Sequence, residues 1–486
     1  MLNKTKRVLA VLLAAALVFS LVGCSKAEND GSSVIVQEEI VYEYEDSSSN
    51  GETATSGNQG GNQQGTTSSG SGGGSSTITA TGVNPADYKG TKIIFATTVD
   101  PKVEGTDYVI SNFEKEYGIE VEVSVAESLQ TYANKMSNLI LAGKAPTVGR
   151  SNGDCPLYLS YFQSLDAAKI DYKDEIWNQN TFKYSTYNGS PYLCDTVGNY
   201  FTEVDIVAYS KSLLKRAQCS TPEEYDAAGN WTFDAFLEIG RKTAAKAGCK
   251  GASMHGYDCL LNMAGGSVYR LDANNRLVNG IDNTTTAVFQ KIAQGFKDGY
   301  IDNGNTEGLM DGTIAITTTH AWALRKDGAL AKHPNWNDVG FYYMPAFEKG
   351  GDKVATGLFR GWGIMKGCNE NPETGSKAAV AGGLFLREYL DVSNYDLKDV
   401  FISEDAKTFF FKVCDFYATS NNYNPYLTTY DLNAGISGVN TFEEVYKAAM
   451  RVDPAAVPTV MNQVKSKVQY GTDNLNKKIE EWLAAK

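Results

Sequence analysis

Apolar and polar positions along the chain change period several times, and each change marks an element. Lys92-Ile93-Ile94-Phe95-Ala96 is a short apolar run that predicts a buried strand. Between Asp107 and Tyr117, the residues Val109, Ile110, Phe113 and Tyr117 recur at helical spacing, and Gly118 stops the helix. Ile119, Val121, Val123 and Val125 then alternate with Glu120, Glu122 and Ser124, the period of a strand. Strand, helix and strand together have the length of one β-α-β crossover, which makes the two strands parallel. A further helix carries Tyr132, Met136, Leu139 and Ile140 on one face and ends at Gly143 and Pro146. The alternation continues with strands at Ile206 to Tyr209, Thr313 to Thr317 and Gly340 to Met344. Helices are expected at 233–247 and 284–298, and a mostly helical remainder includes 376–390 and 405–417. The pattern is α/β with a helical C-terminal part. In open α/β sheets ligands collect at the carboxyl ends of strands, so Thr97-Thr98-Val99-Asp100 is the first candidate loop and Asp100 its candidate contact.

The start of the chain follows another pattern. Lys4, Lys6 and Arg7 precede an apolar stretch from Val8 to Phe19, the order of an export leader and too short to span a bilayer. Leu21-Val22-Gly23-Cys24-Ser25 resembles the lipobox of bacterial lipoproteins, which implies removal of residues 1–23 and lipidation of Cys24. Residues 24–86 read as a tether. Between Ser49 and Ser76 there is no aromatic residue and a single charge, Glu52, so this stretch has too little apolar surface to offset chain entropy. Some 60 such residues reach roughly 45 Å.

Charge and chemistry narrow the classes. Formal net charge is −13, and losing the three cations of the leader makes it −16, which excludes a nucleic-acid surface built on clustered Lys and Arg. Seven cysteines remain after Cys24 (155, 194, 219, 249, 259, 368 and 414), widely spaced and without a C-x-x-C pair, so buried free thiols are expected rather than a zinc site or a disulfide scaffold. Only three histidines are present, and no metal-binding, phosphate-binding, dinucleotide-binding or nucleophile motif occurs, so neither a metal nor a cofactor is expected.

Seven fragments between Lys92 and the C-terminus, in order, resemble the extracellular solute-binding proteins of ABC importers, in particular the sugar-binding branch. They are the first strand with FEKEYGIEVEV (113–123), LILAGKAPTV (139–148), YNGSPYLC (187–194), VAYSKSLLKRAQC (207–219), NWTFDAFLEIGRK (230–242), GLMDGTIAITTTHAW (308–322) and GWGIMKGCNENPETGSKAAVAGGLFL (361–386). Two positions depart from the family habit: Pro146 is followed by Thr147 rather than Asp, and Tyr209-Ser210-Lys211 replaces Tyr-Asn-Lys. The resemblance implies a two-lobe periplasmic-binding-protein fold of type II with a hinge. Lobe 1 would comprise 87–205 plus about 346–400, and lobe 2 would comprise 206–345 plus about 401–486. Crossings are expected near Asp205 to Tyr209 and Pro345 to Lys353. It also implies a monomer, anchored to the outer face of the cell membrane through its lipid, that delivers a carbohydrate, expected to be an oligosaccharide, to membrane-embedded ABC permease subunits.

Sugars need aromatic faces for the C–H side of the ring and planar polar groups for the hydroxyls. Trp322 follows a strand where sugar-binding relatives place a stacking tryptophan, with ordinary packing as the alternative. Trp362 lies between Gly361 and Gly363, which clear bulk around its ring, and Arg360 beside it suits a hydroxyl pair or a carboxylate, against core packing and a salt bridge. Asn152 and Asp154 occupy the loop after the strand around Thr147 to Gly149, where a turn-forming Asn-Gly-Asp is the other reading. Tyr257 and Tyr200 complete the candidates. Trp231 reads as structural: with Thr232 as N-cap, Trp231 and Phe236 stand at the two positions of a hydrophobic staple. No catalytic residue is nominated. The alternatives are a surface glycosidase, which needs only two suitably spaced carboxylates among 57 acidic residues, and the same fold holding a peptide or polyamine.

Overall fold

The structure, a computed structural model, describes residues 82–126, 129–151, 155–199, 201–254, 257–302, 307–332, 336–427, 445–446, 449 and 452–485. The leader, Cys24 and the tether up to residue 81 lie outside the described residues, as do Asn152, Asp154 and Tyr200.

Two sheets organise the chain. The first has the order β2-β1-β3-β13-β4, with β1 Lys92–Thr97, β2 Glu120–Val125, β3 Val148–Arg150, β4 Phe162–Gln163 and β13 Trp362–Met365. β1 pairs in parallel with β2, from Lys92 opposite Glu120 to Thr97 opposite Val125, and in parallel with β3. The helix between β1 and β2, α2 (Asp107–Tyr117), buries Val109, Ile110, Phe113 and Tyr117, and Gly118 ends it with φ 62°. A left-handed residue there satisfies a terminal carbonyl through the Gly118 N–H to Glu114 O, at no Cβ cost.

β1 is apolar on both faces because both are covered. Ile93 and Phe95 join α2 and α7 (Ala378–Leu390) in one core. Ala96 faces Tyr132 and Met136 of α3 (Leu129–Leu141) in another.

The second sheet has the order β12-β7-β11-β8, with β7 Asp205–Ser210, β8 Gly251–Ser253, β11 Ile314–His320 and β12 Val339–Tyr342. β7 is fully buried between β11 and β12, antiparallel to both. α5 (Phe233–Ala247) covers one face and α8 (Glu404–Thr419) the other. Thr232 caps α5 by accepting from Ala235 N. Trp231 is 2% exposed, and its indole N–H donates to Tyr343 O at 2.9 Å. Two short hairpins complete the strands: β5 Thr186–Tyr187 with β6 Ser190–Pro191, and β9 Tyr269–Leu271 with β10 Leu277–Asn279.

Three segments run side by side between the sheets. Asp205 N donates to Thr356 O at 2.9 Å, and Leu358 N donates to Glu203 O at 3.2 Å, so the first two crossings are antiparallel. A third, around Tyr423 to Tyr426, pairs in parallel with the second through Tyr426 N to Gly357 O and Phe359 N to Tyr426 O. At Gly357 a Cβ would stand 2.5 Å from Glu203 O, so only glycine lets the strands come this close.

None of the seven cysteines after Cys24 is in a disulfide, and all but Cys249 are buried. No helix among the described residues is long and apolar enough to cross a membrane, and no described cluster of His, Cys, Asp and Glu could hold a metal ion.

Candidate functional site

The parallel strands β1 and β3 end on the same side of the first sheet, and the chain builds its site there. After β1, the Thr97 hydroxyl donates to Val99 O and tightens the loop. Asp100 then caps a single helical turn, α1 (Pro101–Glu104), by accepting from Lys102 N at 2.9 Å. Asp100 thus shapes the loop, and a second carboxylate, Glu104, stands at the end of the turn. At the end of β3, Arg150 donates to Phe201 O at 2.7 Å and lies over the rings of Trp362 and Phe201, 5.5 and 5.7 Å from their centroids. Such cation–π contact favours a guanidinium that has lost part of its water.

Arg360 forms an ion pair with Glu203, and both side chains are mostly buried. This pair joins the first crossing segment to the strand that follows the second. Asp195 accepts from Thr196 N at 2.9 Å and from the Asn199 amide. Arg150, Asp195, Glu203, Arg360, Trp362 and Tyr417 line one narrow pocket at the crossings. A wider, open depression around Asp166 to Lys173 lies elsewhere on the first lobe, and Asp166 there is occupied by the hydroxyls of Ser164, Tyr172 and Ser190.

The second lobe reaches the same place through the chain after β11. A 3-10 turn, Ala321–Leu324, holds Trp322, and the next residue, Arg325, pairs with Asp327. Burial pushes the Glu104 carboxyl up, against the pull of Arg150, Arg325 and Arg360 and with the help of Asp327. Glu104 therefore senses guanidinium groups of both lobes. With Asp195 and Glu203, the site alternates carboxylate and guanidinium groups, a set rich in planar donors and acceptors and close to neutral.

Burial also pushes Asp195 up to about 6, although Asn199, Thr196 N, Arg150 and Arg360 all favour its charged form. An unfolded aspartate titrates near ~3.9. Between these values the folded state holds the extra proton, so the contribution of Asp195 to stability is present at low pH and lost as pH rises from about 4 to about 6. The melting temperature of the native protein relative to Asp195→Asn should therefore fall across that window. A difference that stays flat would refute this.

The sequence candidates fare differently. Trp322 is partly exposed, its ring centroid 6.3 Å from that of His320, whose Nδ1 is 2.9 Å from Asp205 Oδ1. Trp362 is 2% exposed and packed among Phe95, Phe201 and Tyr389 with Arg150 above it. The space left by its flanking glycines is filled from elsewhere: a Cβ on Gly361 would meet Cys194 O at 2.8 Å, and one on Gly363 the Phe162 ring at 2.7 Å. These glycines admit neighbouring strands rather than clearing room around the indole. Tyr257 begins the helix Tyr257–Met263. Arg150, Glu104, Asp195 and Glu203 were not singled out from sequence. Arg150 carried a usable signal, since it directly follows the apolar strand Thr147 to Gly149; the three carboxylates carried none.

Residues 109–378, more than half of the chain, match the family of bacterial extracellular solute-binding proteins. The chain belongs to that family. Among solved structures, this solute-binding protein is similar to the cyclic α-maltosyl-1,6-maltose binding protein from Arthrobacter globiformis, with a TM-score of 0.58, 12% identity, and coverage of 79% of this chain and 99% of that one. It is also similar to the galacto-N-biose/lacto-N-biose I-binding protein of the ABC transporter from Bifidobacterium longum in complex with lacto-N-biose (TM-score 0.55, 14% identity, 80% and 97% covered). A third is an ABC substrate-binding protein from Listeria monocytogenes in complex with cycloalternan (0.52, 15%, 80% and 99%). At such identities the likeness establishes the shared two-lobe fold. No curated protein matches the chain in sequence.

Proposed function

We propose that this solute-binding protein captures a carbohydrate, an oligosaccharide, between its two lobes and delivers it to an ABC permease without chemical change. The observation that carries this reading is the site at the carboxyl ends of β1 and β3. It presents paired carboxylates and guanidinium groups whose charges nearly cancel, with the partly exposed ring of Trp322 on the facing lobe. Hydroxyl-rich ligands use such planar groups in pairs, and a neutral set suits a neutral ligand. Family membership supports binding rather than turnover, and the sugars named for the structural relatives support the ligand class. Trp322 stacks on a sugar ring, Arg360 and Asp100 border the ligand, and Asn152, Asp154, Tyr200 and Tyr257 supply further contacts. Lobe 1 comprises 87–205 and about 346–400, and lobe 2 the rest of the globular part. Lipid on Cys24 holds the monomer at the outer face of the cell membrane, within reach of its permease.

Thermal-shift and tryptophan-fluorescence titrations of the protein against neutral oligosaccharides, uronates, peptides and spermidine test the reading. Saturable stabilisation by neutral oligosaccharides without product formation is expected. Silence across the sugars together with tight spermidine binding would overturn it.

A further inference from the structure

The lobes are joined by more than the covalent crossings. The β9–β10 hairpin packs with the second lobe, yet its tip reaches α4 (Gln179–Ser185), whose Phe182 lies in the core of the first. Asn275 at that tip is 7% exposed, and its amide donates to Lys183 O at 2.7 Å and to Thr186 O at 2.8 Å. These are carbonyls at the end of α4 that no helical partner supplies, so a residue of the second lobe caps a helix of the first. Next to it, Arg276 lies 5.4 Å over the Tyr187 ring and pairs with Glu480.

Glu480 belongs to α9 (Val457–Ala484), a helix of about 42 Å. At its start, Lys297 pairs with Asp453, and Gln290 donates to Pro454 O, which ties it to the second lobe. At its end, Lys366, just after β13 of the first lobe, donates to Trp482 O at 2.8 Å. Midway, the Asn476 amide accepts from Leu277 N and donates to Leu277 O, so the helix grips the hairpin by its edge.

We propose that the hairpin tip and α9 form an interlobe latch that fixes the lobe angle of the ligand-free protein and thereby sets its apparent affinity without touching the ligand. Hinge rotation is absorbed by a few backbone torsions at crossings. Here the same rotation must also carry Asn275 off the end of α4 or slide α9 along the hairpin. Any population so held rescales the dissociation constant by the fraction of molecules that are binding-competent.

The test is the distribution of distances between lobes in the ligand-free full chain, read by spin-label pulsed spectroscopy. Cys249, the partly exposed thiol of the second lobe, takes one label, and Lys115→Cys on the exposed face of α2 takes the other, in a Cys24→Ser background. Asn275→Gly removes the two hydrogen bonds and keeps the turn, because Asn275 has φ 56°, which glycine adopts freely. Asn476→Ala releases the helix from the hairpin separately. Each should broaden the distribution, and loss of one or two hydrogen bonds should shift binding by on the order of fivefold. Val278→Ala, in the same hairpin at an exposed position, is the control and should leave both unchanged. Unchanged distributions in both latch variants, or equal broadening in the control, would overturn the proposal. The distance readout needs no ligand, so it stands or fails separately from the carbohydrate reading.

Discussion

Trp362→Ala should destabilise the globular part by about 3–5 kcal/mol, the usual cost of emptying a buried tryptophan site. The ring touches Phe95 of β1, Tyr389 of α7 and Phe201 of the loop leading to the first crossing, and Arg150 lies on it. Its removal leaves a cavity where these elements meet, and it strips the guanidinium of one aromatic face. Thermal and urea unfolding of the ligand-free protein will show the loss. A variant that melts with the native protein would mean that the indole contributes little to this core.

The second large effect lies at the other tryptophan. Trp322 is partly exposed on a 3-10 turn of the facing lobe and packs in part against the core of that lobe, so its truncation removes less buried area than that of Trp362. Trp322→Ala should destabilise the protein by about 1–2 kcal/mol, less than the loss at the fully buried Trp362. Sugar affinity should fall about 10- to 100-fold, the loss of a stacking anchor worth about 1.4–3 kcal/mol. Calorimetric titration with the best oligosaccharide of the panel measures the first quantity, and melting in its absence the second. Affinity that survives the truncation would remove Trp322 from the site. The two variants together separate a tryptophan that holds the lobe from one that holds the ligand.

The contrast shows what the sequence made legible. Period and run length carried the strands around β1, β2, β7 and β11 and the helices α2, α5 and α8, because β1, β7 and β11 are apolar runs buried on both faces and the others bury one continuous face or stripe. The cap at Thr232 with Trp231 before it was also readable, since capping is local chemistry. Exposure of a single aromatic was not. Trp322 and Trp362 both follow or begin a buried strand, and only the crossing of distant segments decides which ring is covered. The charge set was hidden for the same reason. Glu203 and Arg360 are far apart in the chain and become neighbours because Val204 pairs with Gly357. The third crossing, a few residues around Tyr423 to Tyr426, is too short for any period to announce.

The position of β13 has a consequence for how the molecule comes into being. It lies between β3 and β4, yet it is made after every strand of the second sheet. The first sheet therefore stays split, with β3 lacking its outer neighbour, until residues 362–365 have been made. Contacts of such long range form slowly, since loop closure precedes their gain. For a member of an extracellular family, this ordering leaves the first lobe unfinished while the second sheet is already complete, so the two lobes can close on each other only once residues 362–365 are available.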